Sequence, residues 1–193
     1  MKQVNILATI IASFLLLTSS SSASSAEVID AKANVAVASF VQKYNAKDFL
    51  DNLAGYIVFP SVLKGGYIIA GKYGEGVLRA KGESPEYYSV ASASVGFQLG
   101  VQKVSYLVAF ASKDALDNFR KSNGWEAGVD GSITAVNWGV GKELPTFSFE
   151  KPIYAFIFDS KGLMLNISLE GTKFNKIQPS KTLLYDDVDN MTN

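Results

Sequence analysis

The chain has neither cysteine nor histidine among its 193 residues. The first absence removes disulfides, thiol nucleophiles, thiolate metal ligands and a cysteine for lipoprotein acylation. The second removes imidazole acid–base chemistry and the Ser-His-Asp triad. Carboxylates, lysines, tyrosines and oxygen-ligated metals are what remain for chemistry. An excess of positive charge is also missing: 18 Lys and Arg face 18 Asp and Glu. A nucleic-acid partner is therefore not expected. Nor is there a run long enough to span a bilayer, since ILATIIASFLLL, residues 6–17, falls short of the roughly 20 residues such a helix needs.

What that run does fit is a leader. Lys2, the apolar run and the following Ser/Ala tract form the pattern of a secretory signal peptide over residues 1–26,. Small residues at Ser24 and Ala26 allow cleavage before Glu27, leaving a single domain at 27–193 with a net charge of −1,. The expectation is an exported protein, periplasmic or secreted. At 48% hydrophobic and 19% charged residues, the composition is that of a globular domain,.

Periodicity divides this domain. Ile29, Ala33, Val37, Phe40 and Tyr44 recur at helical spacing, which predicts a helix over 28–53, with Asp48 able to cap a second short helix carrying Phe49, Leu50 and Leu53,. Two readings of this helix stand: its apolar face packs on the core, or it lies in a lipid interface with Lys32, Lys43 and Lys47 flanking that face. From Gly55 onward short apolar runs alternate with glycine and proline, which predicts strands. In KVSYLVAFAS, Val104, Tyr106, Val108 and Phe110 form the more deeply buried face,. Ser112 caps a short helix, DALDNFRKS, that ends at Asn123-Gly124,. Strands resume in GSITAVNWGVG, PTFSFE, PIYAFIFD and LMLNISLEG, with DSKG (159–162) as a hairpin turn, then a short helix and a loose end from Pro179,. The fold class expected is α+β: an N-terminal helix plus a curled antiparallel sheet or partly closed β-barrel with one inserted helix. Eight strands of about ten residues would also suit an outer-membrane barrel, but these strands are short and the leading helix is long.

Candidate chemistry is sparse. Gly71, Gly74 and Gly76 form neither GxGxxG nor a Walker loop, so they read as positions of close backbone approach,. Glu126 with Asp130, and Asp186 with Asp187, do not make a calcium loop and read as solvated or turn-forming carboxylates,. Asn166-Ile-Ser and Asn190-Met-Thr are sequons that matter only in a eukaryotic secretory pathway,. No catalytic residue, cofactor or metal is expected.

One set of motifs does resemble a known family. GYIVFPSVLKGGYIIAGKYGEGV, with Phe59-Pro60, Lys64-Gly65-Gly66 and the GxxGxGV ending, is similar to the opening of the SYLF domain. YYS at 87–89, SVGFQLGVQ, ALDNF at 115–119, WEAGVDGS at 125–132 and KGLMLNISLEGTKF at 161–174 resemble its later elements, so that the likeness covers about residues 35–185. Gly66, Tyr67 and a Phe-rich stretch at 147–158 depart from the usual pattern. The resemblance implies binding to phosphoinositide-type membranes, partly through the N-terminal helix. It also implies actin binding in yeast relatives, an activity an exported chain would not use. Bacterial members are exported proteins, often lipoproteins.

The function expected is reversible association with anionic phospholipid. The candidate residues are Lys43 and Lys47 on the helix, with Lys64 and Lys72 beside glycine turns where an ammonium can meet a lipid phosphate. Each alone also reads as a solvated surface lysine. At roughly 1 kcal/mol per basic residue near an anionic surface, four would supply about 4 kcal/mol at most, so binding is weak unless Phe40 or Tyr44 inserts. The alternative is a non-enzymatic structural or protein-partner-binding module of the cell envelope.

Overall fold

Ser25 opens the first helix: its Oγ accepts the Val28 backbone N–H at 3.4 Å, and α1 runs Ala26–Tyr44. In this computed structural model, residues 24–66, 69–95, 101–122, 124–136, 149–158 and 169–180 are described. The helix stops at Asn45, which takes the left-handed conformation at φ 50°, a geometry that asparagine tolerates better than most residues. The expected second short helix, α2 (Lys47–Asp51), follows with Ala46 at its N-cap, so the first helix ends at Tyr44 and the second begins one residue before Asp48. Asp48 lies inside α2 and does not cap it. Lys47 is thus no longer on one helical face with Lys32 and Lys43.

Four long strands come next: β1 (Gly55–Gly66), β2 (Ile69–Ala80), β3 (Glu86–Val95) and β4 (Val101–Phe110). The helix α3 (Lys113–Lys121) is capped as expected, with Ser112 Oγ accepting the Ala115 N–H at 3.2 Å. Shorter strands complete the sheet: β5 (Trp125–Glu126), β6 (Thr134–Val136), β7 (Ile153–Phe158) and β8 (Lys173–Ile177). The order is β5-β8-β3-β2-β1-β4-β7-β6, curled into a half-barrel, and every pairing is antiparallel except β6 with β7. The DSKG turn, the tail beyond Ser180, both sequons and Asp186/Asp187 lie outside the described residues, as does most of PTFSFE and of LMLNISLEG.

Both faces of this sheet are buried. On one, Phe110, Phe119, Trp125 and Phe174 form an aromatic cluster beneath α3. On the other, Ile29, Ala33, Phe40 and Tyr44 of α1 pack on Val58, Val77, Leu107, Phe156 and Phe158. Phe40 is fully buried, edge-on to Phe156 and Phe158. Strand β7 therefore reads as one continuous apolar run, Ile153, Ala155 and Ile157 serving the first cluster and Tyr154, Phe156 and Phe158 the second,.

The centre of β1 departs from a regular ladder. Pro60 cannot donate to a neighbouring strand, and the pairing to β2 shifts by one residue between Val58 and Ser61, the two-against-one geometry of a β-bulge. The pairing to β4 shifts at the same place, and Ser105 Oγ donates to the Pro60 carbonyl at 3.0 Å. Gly76 answers the bulge from β2. A Cβ there would stand 2.4 Å from the Val58 oxygen and 2.6 Å from the Phe59 ring. Gly74 is hemmed in similarly by Ser61 and Val62. These glycines serve strand packing, as their sequence context implied.

Candidate anion-binding site

The bulge has a consequence for charge. On the side away from the β1–β2 connection the register pairs Val58 with Val77, whereas beyond Ser61 it pairs Lys64 with Lys72. Continuing the first register would set Lys64 opposite Gly71 and turn Lys72 to the other face, because a one-residue slip exchanges faces. The shift instead makes the two lysines direct cross-strand partners on one face, where Cβ atoms stand roughly 5 Å apart.

That face also carries Tyr106. The Lys72 ammonium lies 5.8 Å from the centre of the Tyr106 ring, within cation–π range. Lys72 is 8% exposed and Tyr106 fully buried, while Lys64 is half-buried. The Tyr106 hydroxyl has no hydrogen-bond partner among the described residues. Burial, and then the like charge of Lys64, bring Lys72 from 10.5 down to about 8. Burial alone pushes Tyr106 up to about 12, so its hydroxyl keeps its proton. Two ammonium groups thus share one end of a sheet face, a donor pair suited to a phosphate or carboxylate.

The other two lysines named from the sequence lie elsewhere. Lys43, at the end of α1, holds its ammonium 5.3 Å from the Tyr44 ring. Lys47 is ion-paired with Asp51 at 2.7 Å, and that contact raises its pKa. Both belong to the α1–α2 segment on the opposite face of the sheet from Lys72. The four residues therefore do not form one patch. Phe40 and Tyr44 are buried against the sheet, which decides between the two readings of the helix in favour of core packing.

The carboxylate pair Glu126 and Asp130 forms a turn: Asp130 Oδ2 accepts the Glu126 N–H at 2.7 Å, and Glu126 meets Lys173 at 3.3 Å. Among the described residues no group of three or more Asp or Glu side chains is placed to hold a metal, and no helix is long and apolar enough to cross a membrane. Tyr106 was legible in the sequence only as a core residue of β4; the signal for more was a hydroxyl among aliphatic partners. The one-residue register shift that brings Lys64 to Lys72 left its traces in Pro60 in mid-strand and in Gly76 opposite it.

Comparison with known proteins adds a lineage. A family model described as "Ysc84: Las17-binding protein actin regulator" matches residues 91–191. The SH3 domain-containing protein PJ696.02 of Schizosaccharomyces pombe is 26% identical over 151 residues, covering 70% of this chain and 33% of its own length. LAS seventeen-binding protein 3 of Saccharomyces cerevisiae is 25% identical over 147 residues, 72% of this chain and 32% of its own. SH3 domain-containing YSC84-like protein 1 of Bos taurus is 31% identical over 120 residues, 58% of this chain and 34% of its own. The chain spans about a third of the length of these curated relatives.

Proposed function

The chain belongs to the Ysc84 family, the SYLF domain, and we propose that it is a binding module that associates reversibly with anionic phospholipid. The observation that carries this reading is the Lys64–Lys72 pair, set opposite one another across a strand ladder, with Lys72 against the Tyr106 ring. Like charges held in register repel, so an anion between them offsets both the repulsion and the burial of Lys72. A lipid phosphate supplies that anion. The N-terminal helix, with its apolar face occupied by the sheet, acts as scaffold in this reading rather than as the inserting element. We also retain, as part of the proposal, export through the 1–26 leader to the periplasm or the medium.

At roughly 1 kcal/mol per basic residue, two lysines contribute about 2 kcal/mol, or near 30-fold in partitioning. Cosedimentation of the protein with phosphatidylglycerol and phosphatidylcholine vesicles, at low and high salt, tests it. The expected result is pelleting with the anionic vesicles only, weakened by salt, lost in Lys64→Ala/Lys72→Met and kept in Lys43→Glu/Lys47→Glu. Loss in the helix pair alone would move the site to α1. Equal pelleting of all variants, or none at all, overturns the reading.

A second reading follows from the relatives, named as SH3 domain-containing or LAS seventeen-binding proteins. Here the module binds a protein partner, an envelope protein if the chain is exported. Indifference to vesicle charge, together with saturable capture of one defined protein, would favour it.

A further inference from the structure

On the α1 side of the sheet, the helix and the strands leave an open groove of about 550 Å³, within the range of small-ligand sites. Its helix wall is Lys32, Val35 and Ala36, and its strand wall is Pro60, Lys103 and Ser105. The gap has a local cause. Ala36 presents only a methyl group on the helix wall, and the strand wall holds Pro60 and Ser61, where the register of β1 shifts. The Ser105 hydroxyl is directed at the Pro60 carbonyl, so it does not make the strand wall strongly polar. Val35 is 72% exposed, an unusual setting for a branched aliphatic.

Charge then narrows the occupant. The described lining holds two cations, Lys32 and Lys103, one on each wall, and no carboxylate. Both lysines are exposed, and their methylene stems extend the apolar walls while the ammonium groups remain at the surface. A neutral apolar guest would leave this pair unused, and a compact anion would leave the apolar walls unused.

We propose that this groove binds a single-chain anionic amphiphile, a long-chain fatty acid, with the alkyl chain along Val35, Ala36 and Pro60 and the carboxylate between Lys32 and Lys103. The site is separate from Lys64 and Lys72, which lie on the other face of the sheet, so it stands or falls independently of vesicle binding. A lysophospholipid presents the same chemistry, one chain and one anionic head.

Displacement of a fluorescent fatty-acid probe by octanoate, decanoate and dodecanoate, each below its micelle concentration, tests the proposal. Affinity rises with each methylene buried, by up to about fourfold. Dodecanol, which keeps the chain without the charge, binds at least tenfold more weakly than dodecanoate. Val35→Glu, an exposed position where folding is not at stake, lowers dodecanoate affinity at least tenfold. Lys32→Gln/Lys103→Gln brings dodecanoate down to the level of dodecanol. Lysophosphatidylglycerol against dodecanoate separates the two sources of the shared chemistry, and preference for the former would replace the fatty acid as occupant. Affinity independent of chain length, or unchanged in Val35→Glu, overturns the groove as the site.

Discussion

Replacing Lys72 with methionine should make the protein more stable and less able to bind anions. At neutral pH the buried ammonium is a cost to the fold. Between 10.5 and about 8, at roughly 1.4 kcal/mol per pH unit, that cost comes to about 3 kcal/mol. The Tyr106 ring returns part of it, on the order of 1 kcal/mol. Methionine is close in volume and brings no charge, so Lys72→Met should gain about 1–2 kcal/mol at pH 7. The pH dependence carries the stricter test. An unfolded lysine keeps its proton until near 10.5, whereas folded Lys72 releases it near 8. Between these values the unfolded chain binds more protons, so stability rises with pH. By pH 9.5 the wild type recovers about 2 kcal/mol, and the advantage of the variant shrinks by that amount. The tyrosines, Tyr106 among them at about 12, act in the opposite sense but only above pH 10, and they are common to both proteins. Urea unfolding of the pair at pH 7 and 9.5 measures the difference. A variant less stable than wild type at pH 7, with a gap that does not change with pH, would refute a buried, destabilising cation at this position.

Phe40→Ala removes a ring that is fully buried against Phe156 and Phe158 and should cost about 3–5 kcal/mol in urea unfolding. Vesicle binding per folded molecule should not change, and loss of binding without loss of stability would show that the helix inserts. Gly76→Ala puts a Cβ 2.4 Å from the Val58 oxygen and should cost at least about 1–3 kcal/mol. Because Gly76 faces the bulge that sets the lysine register, residual folded protein should also bind phosphatidylglycerol more weakly; wild-type binding in a stable variant would count against that link. Ser25→Ala removes the hydroxyl that accepts the Val28 N–H at the start of α1 and should cost about 1 kcal/mol in urea unfolding; an unchanged midpoint would show that the cap adds nothing to the fold.

Local chemistry carried the secondary structure well where one turn or one strand suffices to define it. The hydroxyl of Ser112 needs only the backbone three residues away, and it caps α3 as its sequence context implies. Alternation in β4 placed Val104, Tyr106, Val108 and Phe110 together, and they do share a face. It did not show that Leu107 and Ala109 are buried as deeply on the other face, because that depends on α1 lying across the sheet from 50 or more residues away in the chain. Strand β8 was missed for a related reason. In Lys173–Ile177 only Phe174 is fully buried, and the strand exists because β3 and β5 pair with it. The second helix was legible from Phe49, Leu50 and Leu53, but its start was not, because the apolar spacing runs on through the left-handed Asn45 and Asp48 offered the more familiar cap.

The lysines make the sharper case. Lys64 and Lys72 stood out in the sequence because each adjoins a glycine, and that reason proves incidental. Their proximity comes from register, and register in this hairpin is set four residues before Lys64, where Pro60 denies β1 a donor and Gly76 makes room for the extra residue. A single residue more or less in that bulge leaves composition, charge and apolar pattern almost unaltered, yet it sends one ammonium to the α1 face and leaves the other beside Tyr106. Lys43 and Lys47 show the converse. Helical spacing brought them together on paper, and one left-handed residue between them, Asn45, together with the Lys47–Asp51 ion pair, separates their roles. A cationic site assembled across strands therefore depends on the backbone irregularity between its members more than on the cations themselves, and Pro60 with Gly76 is where this one is encoded.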